Sequence, residues 1–187
     1  MCAFSHLHVH TQFSILDGHG SIQKLVQKAK KEGQPALAIT DHGFMYGVVQ
    51  HYVACMEAGI KPILGCELYT AERTCYDRDE KRGHIILLAK NQTGYQNLVK
   101  LCSIAATDGF YYKPRVDTQL LRKYHEGLIC LSACISGDIP RLLLAGEWEK
   151  AVSKAQEYQD IFGPDFYIEL QYHGLPDQKT VLPKLIE

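Results

Sequence analysis

Short apolar segments alternate with amphipathic segments along almost the whole chain, and this alternation restricts the possible folds more than any other feature. The apolar segments predict β-strands, and the amphipathic segments between them predict helices. Parallel strands need crossover connections of this kind, so the pattern predicts an α/β protein with a parallel sheet or barrel. The predicted strands cover residues 4–10, 36–40, 62–69, 84–89, 127–132 and 166–171.

The predicted helices show a spacing of three and four residues between apolar positions. Ile22, Leu25, Val26 and Ala29 follow Ser21, a residue type that often caps helices, and they predict a helix over 21–33. Further helices are predicted over about 46–59, 91–107, around residue 120, over 138–145 and 148–162, and from about 177. The polar stretch 73–83 and the segment 108–117 are predicted to be loops.

Length, charge and cysteine usage limit the class of protein. The 187 residues suffice for one sizeable domain, and the net charge of −1 gives no overall attraction to nucleic acid. No segment approaches the roughly 20 apolar residues that span a bilayer, and the N-terminus lacks the features of a signal peptide. Seven cysteines are scattered without CxxC pairs, which is typical of free thiols. The sequence therefore predicts a cytoplasmic protein without membrane partners.

A His-x-His pair in the first predicted strand is the first sign of chemistry. Successive side chains of a strand point to opposite faces, so His8 and His10 project together. Two neighbouring imidazoles can share a metal ion, with zinc as the first candidate, and Asp17 follows nearby. His6 shares the face but lies deeper, where packing or support of a ligand is expected. His19, His51 and His125 lack a partner pattern and are predicted to be solvent-exposed.

Other metal-capable residues follow the carboxyl ends of later strands, where α/β folds gather functional side chains. They are Asp41, His42, Glu67, Cys134, Glu169 and His173. Glu67 could instead cap a loop, and Cys134 could belong to the core. Asp41 is expected to orient a ligand rather than to be one. His84 begins its strand, so either that strand runs antiparallel to its neighbour or His84 is not a ligand.

Two cations flank a proline in the aromatic segment 108–117. Lys113 and Arg115 could contact a phosphate at the mouth of the site, or the segment could be a packed surface loop.

Five segments give the chain a specific resemblance to a known family. They are HLHVHTQFSILDG (6–18), AITDHGFMYG (38–47), KPILGCELY (61–69), GYQNLVKLCSIAATDGFYYKPRVD (94–117) and LSACISGDIPRLL (131–143). Together they resemble the PHP domain (polymerase and histidinol phosphatase) of bacterial DNA polymerase III alpha subunits. The resemblance implies a distorted seven-stranded α/β barrel with up to three metal ions. It implies that residues 1–187 are one PHP domain, truncated before its last strand and without polymerase domains.

The resemblance also implies a set of metal ligands. These are His8, His10, Asp17, His42, Glu67, His84 and Cys134, with catalytic roles for Asp17, His42 and Glu67. The family's last two ligands, an aspartate and a histidine, would lie beyond Glu187, so incomplete metal binding and an inactive fragment are expected. The implied ions are Zn²⁺, with Mn²⁺ or Mg²⁺ as alternatives, and Mg²⁺ for the absent polymerase site.

The implied activity is metal-dependent hydrolysis of phosphodiesters. In the parent polymerase this is 3′→5′ exonuclease proofreading at the primer 3′ end, with Lys113, Arg115 and His173 as substrate-binding candidates. The alternative is a non-catalytic module that supports the polymerase and docks a separate proofreading exonuclease. Other subunits of the polymerase III holoenzyme are the implied partners. The polymerase-specific segments disfavour a small-molecule phosphatase.

Overall fold

The computed structural model describes residues 4–15, 17–79 and 81–187, and the predicted α/β class is confirmed. Each of the predicted helices is present. The helices are α1 (Ile22–Lys31), α2 (Val48–Ala58), α3 (Gln92–Thr107), α4 (Thr118–Tyr124), α5 (Asp138–Leu144), α6 (Trp148–Phe162) and α7 (Pro176–Ile186). The strands are β1 (Ala36–Ile39), β2 (Lys61–Ala71), β3 (Arg82–Ala89), β4 (Phe110–Tyr111), β5 (Lys113–Val116), β6 (Leu128–Leu131) and β7 (Phe166–Tyr167).

The long strand β2 is the centre of a mixed sheet. It pairs in parallel with β1 and β5 and antiparallel with β3, and β3 in turn pairs antiparallel with β6. The predicted parallel arrangement therefore holds for β1, β2 and β5, whereas β3 runs antiparallel, the alternative that the sequence left open. Among the described residues the strand order runs β4-β5-β2-β3-β6-β7 without closing, so this sheet is open and a barrel is not confirmed.

The segment predicted as the first strand lies extended along β1 without forming a regular ladder. The backbone N–H of Ala38 donates to the carbonyl of His6 at 3.0 Å, and that of Thr40 donates to Val9 at 2.9 Å. The hydroxyl of Thr40 accepts from the N–H of Val9 at 2.8 Å, so a side chain replaces a backbone partner. The predicted strand 4–10 is thus an irregular extended segment, but it still runs beside β1.

Two other segments differ from their predicted secondary structure. The last predicted strand is reduced to β7, and the predicted loop 108–117 contains the hairpin of β4 and β5. Tyr112 forms the turn of that hairpin with a φ of 58°. β5 pairs with the carboxyl end of β2, with Arg115 beside Tyr69, which places the hairpin next to that end of β2.

The two faces of β2 and β3 have different environments. Leu68 and Ile85 are completely buried against Leu98 and Leu101 of α3. Ile86, on the opposite face, packs with Ala38, Leu88, Leu131 and Ala133. Each fully buried leucine or isoleucine contributes about 2 kcal/mol, so this alternation fixes the register. As a consequence, Glu67 and His84 project from the same face as Ile86.

The described part of the chain contains no helix long and apolar enough to cross a membrane.

Candidate metal centre

The carboxylate of Glu67 lies at the centre of a group of histidines. Its Oε2 is 3.1 Å from Nε2 of His8 and 3.4 Å from Nε2 of His10. Its Oε1 is 2.7 Å from Nδ1 of His42. Glu67 is only 3% exposed, so a charged group is held in the interior by these contacts. The two oxygens of one carboxylate thus face two different groups of nitrogen atoms.

His8 and His10 project together, as expected, although their segment is not a regular strand. Their Nε2 atoms are 3.1 Å apart. Potential ligand atoms of His8, His10 and Glu67 all lie within 4.8 Å of one another, which is compatible with a single shared ion.

Asp41 anchors the turn that follows His10. Its carboxylate accepts from the N–H and hydroxyl of Thr11 at 2.6 and 2.7 Å and from the hydroxyl of Ser14 at 2.6 Å. The oxygen of Ser14 is 3.4 Å from Nδ1 of His10 and accepts from the N–H of His42 at 3.2 Å. Asp41 therefore fixes the backbone after His10 directly and the backbone at His42 through Ser14, as expected of a residue that orients ligands.

Asp17 and His42 form the exposed side of the cluster. Nε2 of His42 is 2.8 Å from Oδ2 of Asp17, while its Nδ1 faces Glu67. Asp17 is 59% exposed in its side chain, compared with 24% for His42. A continuous chain of contacts therefore leads from the interior at Glu67 to the surface at Asp17.

The antiparallel pairing of β2 and β3 explains the position of His84. His84 pairs with Tyr69, so the start of β3 lies beside the carboxyl end of β2. Its Nε2 is 3.8 Å from Oε2 of Glu67 and 3.2 Å from Sγ of Cys134. The first of the two alternatives left open by the sequence is the one observed: the strand runs antiparallel.

The pKa values of the cluster reflect burial and mutual contact. Burial alone would raise the pKa of Glu67, but its hydrogen bonds to His10, His42 and His8 hold that pKa well below its usual range. Burial opposes the charged form of His8, yet the hydrogen bonds to Glu169 and Glu67 outweigh it and raise the pKa to about 9. The hydrogen bond to Glu67 raises the pKa of His42 to about 8.

We expect metal binding to release protons at neutral pH. His8 and His42 are protonated at pH 7 in the metal-free protein, because their pKa values are about 9 and about 8. Bound metal ions must displace these protons and that of the Cys134 thiol, whose pKa burial raises, so roughly two to three protons per chain should be released at pH 7 and fewer above pH 9. Calorimetric titration with Zn²⁺ in buffers of different ionisation enthalpy measures this number. Release of no protons at pH 7 would contradict the expectation.

The stability of the metal-free protein should decrease as the pH rises. The raised pKa of His8 stabilises the fold fully below its unfolded value of 6.5, and this contribution is lost as the pH rises through about 9. The effect is of the order of 3 kcal/mol, an upper limit. Thermal unfolding in EDTA should give a lower Tm at pH 9.5 than at pH 6.5, and His8→Gln should reduce the difference.

The three residues predicted to bind substrate lie in different environments. Lys113 is exposed, and its Nζ lies 5.4 Å from the ring centroid of Tyr69, which is 6.4 Å from the ring of His42. Arg115 is 1% exposed and donates to the backbone carbonyls of residues 75, 77, 79 and 109. Its guanidinium is therefore committed to the fold rather than available to a phosphate. His173 is exposed and its Nδ1 contacts Gln178 at 3.0 Å.

Glu169 is a site residue whose role the sequence did not indicate. It stood among the strand-end candidates, but no motif gave it a function. In the structure its Oε1 is 2.8 Å from Nδ1 of His8. The signal in the sequence was only its place after the last predicted strand.

The donor atoms of the cluster suit a divalent transition metal. Imidazole nitrogens and a shared carboxylate are common ligands of zinc, manganese and iron, and the thiol of Cys134 beside His84 adds a softer donor. His8, His10 and Glu67 already converge to the spacing that one ion requires. The residues present therefore fit a metal centre.

Comparison with known proteins gives a consistent result. A family model described as the PHP domain matches residues 6–173. The DNA polymerase III subunit alpha of Treponema pallidum is 51% identical over 99% of this chain and 16% of that protein. That of Thermus aquaticus is 46% identical over 95% and 15%. The chain therefore spans about 16% of the length of the first of these relatives.

A solved structure shares the fold. A proposed metal-dependent phosphoesterase from Bifidobacterium adolescentis covers 99% of this chain and 83% of its own, with a TM-score of 0.59 and 15% identity. At this identity the likeness concerns the fold alone.

Proposed function

Since the chain belongs to the PHP domain family, we propose that it is the N-terminal domain of the alpha subunit of a bacterial DNA polymerase III, and that its metal centre hydrolyses phosphodiester bonds at the 3′ end of DNA. The relatives of that name at 51% and 46% identity support the first part. The proposed setting is DNA replication in the cytoplasm, with primer DNA and the other holoenzyme subunits as partners.

The arrangement of Glu67 is the observation that supports the chemistry. Its Oε2 faces His8, His10 and His84, and its Oε1 faces His42. A carboxylate whose two oxygens face different nitrogen groups is suited to bridge two ions. Bound divalent ions would neutralise the phosphate and lower the pKa of a water molecule for attack.

The proposed roles of this chain's residues follow from their positions. His8 and His10 would hold one ion with Oε2 of Glu67. Asp17 and His42 would hold a second, on the side that Oε1 of Glu67 faces. His84 and Cys134 would hold a third with Glu67, and Zn²⁺ or Mn²⁺ is the proposed metal. Asp17, at the exposed end of the cluster, is the ligand that a DNA end would approach first.

We further propose that the open sheet, which already has seven strands among the described residues, is part of a barrel. A groove of about 770 Å³ supports this, because it is lined by the extended segment 4–8, by residues of β2 and β3 and by residues 167–173. Apolar side chains line it, among them Phe4, Leu7, Ile63 and Ile168. Phe4 is 65% exposed and Leu7 39% exposed, so the groove leaves apolar surface uncovered.

Lys113 is the proposed phosphate contact at the rim. Lys113→Ala should raise the KM for a DNA 3′ end about fivefold with little change in kcat, because one exposed charge–phosphate contact is worth about 1 kcal/mol. Lys123→Ala is the matched control, since Lys123 also lies over a tyrosine ring, at 5.3 Å. Steady-state kinetics at two salt concentrations measures both. Equal KM values for Lys113→Ala, Lys123→Ala and the unmodified protein would exclude Lys113 from the substrate site.

The proposed activity is tested on the full-length polymerase polypeptide that the proposal implies. With a labelled, mismatched primer end, the protein should release nucleotides, and His10→Ala or Glu67→Ala should abolish release while primer extension continues. Primer extension in the same preparation controls for folding and DNA binding.

Nucleotide release that is unaffected by both substitutions would contradict the proposal, because it would come from another site or a co-purified enzyme. Absence of release from the unmodified protein, with normal primer extension, would instead favour a structural module that docks a separate exonuclease.

A further inference from the structure

Glu169 contacts His8 from the side opposite to Glu67. It follows β7, and its backbone N–H donates to the hydroxyl of Ser132 at 2.9 Å, which fixes the start of its side chain. Its Oε1 lies 2.8 Å from Nδ1 of His8, and the two side chains are only 15% and 11% exposed. His8 is therefore held between two carboxylates, one at each ring nitrogen.

The contact at Nδ1 determines which nitrogen of His8 can bind a metal ion. A carboxylate oxygen only accepts hydrogen bonds, so Nδ1 of His8 carries the hydrogen. Nε2 faces the carboxylate of Glu67 at 3.1 Å and Nε2 of His10 at 3.1 Å, so in the metal-free protein it also carries a hydrogen. A metal ion that displaces this hydrogen leaves the lone pair of His8 on Nε2, while Nδ1 keeps its hydrogen on Glu169. Glu169 thus directs the lone pair of His8 toward the other two ligands.

Gln171 holds the carboxylate in this position. Its Nε2 donates to Oε1 of Glu169 at 2.5 Å and lies 3.2 Å from Nδ1 of His8. Oε1 of Glu169 accepts hydrogen bonds from both His8 and Gln171, and these two bonds together fix its position.

The contacts of the second carboxylate oxygen of Glu169 do not explain why this residue is charged. Its Oε2 is buried and has no hydrogen-bond partner among the described residues, which is an unfavourable state for a carboxylate. A glutamine would offer the same acceptor to His8 at a smaller desolvation cost. The negative charge of Glu169 must therefore have another role, and we look for that role at His8, the group that the carboxylate contacts.

We propose that Glu169 is a positioning residue of the metal centre, which fixes the ring of His8 with Nε2 directed at the ion shared with His10 and Glu67. Its charge makes His8 a stronger ligand, as carboxylates behind metal-bound histidines do. This inference rests on the metal centre of the proposed function, but not on the hydrolysis of DNA.

The test separates the hydrogen bond from the charge by two substitutions. Glu169→Gln retains an acceptor for Nδ1, whereas Glu169→Leu removes it. We expect the affinity for Co²⁺, measured by calorimetry and by its visible absorption, to fall about 10-fold in the first and about 100-fold in the second. Asp165→Asn is the matched control, because this carboxylate lies directly before β7 and contacts Lys90 instead of the site.

A second measurement reports on His8 directly in the metal-free protein. Nitrogen-15 NMR of the imidazole at pH 10, above the pKa of about 9 for His8, should show the hydrogen on Nδ1 in the unmodified protein and in Glu169→Gln, but no longer fixed there in Glu169→Leu. If Glu169 only stabilised the fold, the tautomer of His8 would be the same in Glu169→Leu as in the unmodified protein.

Unchanged Co²⁺ affinity in both variants would overturn the proposal. So would the loss of one whole Co²⁺ ion per chain in Glu169→Gln with the His8 signature unchanged, since Glu169 would then be a ligand itself. If both measurements give the expected results and the full-length protein hydrolyses no DNA, the proposed activity fails while the role of Glu169 stands.

Discussion

Glu67→Gln is expected to lower the affinity for divalent metal ions by more than about 100-fold, the largest functional effect of any single change in this chain. Loss of a contact behind a ligand already costs 10- to 100-fold, and Glu67 contacts three histidines of the centre itself. Zn²⁺ titration followed by calorimetry, with metal content measured by elemental analysis, gives the affinity and the stoichiometry.

The same substitution should also destabilise the metal-free fold. Hydrogen bonds to Glu169 and Glu67 raise the pKa of His8, and the hydrogen bond to Glu67 raises the pKa of His42. Removal of the Glu67 carboxylate therefore leaves converging positive charges without a shared partner. Breaking such a buried pair costs about 3 kcal/mol in unfolding free energy. The loss should be largest at pH 6 and smaller at pH 9.5, where the histidines are neutral.

The control for both effects is Glu57→Gln, because Glu57 is exposed on α2. Unchanged Zn²⁺ affinity and stoichiometry in Glu67→Gln would show that Glu67 is not the central ligand. An equal loss of stability in Glu57→Gln would show that the effect is not specific to the site.

Arg115→Ala is expected to reduce the unfolding free energy by about 3 to 5 kcal/mol, the largest effect on stability outside the metal centre. The guanidinium donates to four backbone carbonyls at distances between 2.6 and 3.2 Å. Without it, the carbonyls of the loop that includes residues 75–79 lose their donors in the interior. Urea unfolding followed by circular dichroism measures the change.

Two variants make the Arg115 prediction specific. Arg115→Lys should recover little stability, because a single ammonium group cannot reach carbonyls arranged around a planar fork. Lys113→Ala, two residues away and exposed, should change the unfolding free energy by less than about 0.5 kcal/mol. Comparable losses in Arg115→Ala and Lys113→Ala would contradict the structural role of Arg115.

The burial of Lys113 and Arg115 could not be predicted from the sequence. Both are cations beside the same proline in an aromatic segment, and they gave the same prediction of a phosphate contact. Strand alternation would place these two positions on the same face, yet Lys113 at the start of β5 is exposed and Arg115 is buried. Periodicity over four residues cannot separate these cases when the buried residue is an arginine.

His51 illustrates the same difficulty with a single residue. It lacked a partner pattern and was predicted to be solvent-exposed, but it is 1% exposed and contacts the carbonyl of Leu37 at 3.0 Å. A backbone carbonyl leaves no signature in the sequence, so this partner could not be predicted.

The class of the fold and the gathering of His8, His10, His42 and Glu67 could be predicted because they depend on local signals. Apolar periodicity gave the strand–helix order, and strand ends gave the place where side chains meet. Strand direction depends on pairing between distant segments, so the antiparallel β3 beside His84 remained open. The contact between Glu169 and His8 depends on the approach of two segments without regular ladders, and no periodicity marks it.

The contact between His8 and Glu169 joins positions 161 residues apart in the chain. Contacts of such sequence separation close a long loop, which slows folding. During synthesis the ribosome must release residue 169 before Glu169 can hold His8 in place. Metal retention is therefore a measure of completed folding, and a metal ion bound only by the folded state adds its binding energy to the last step of assembly.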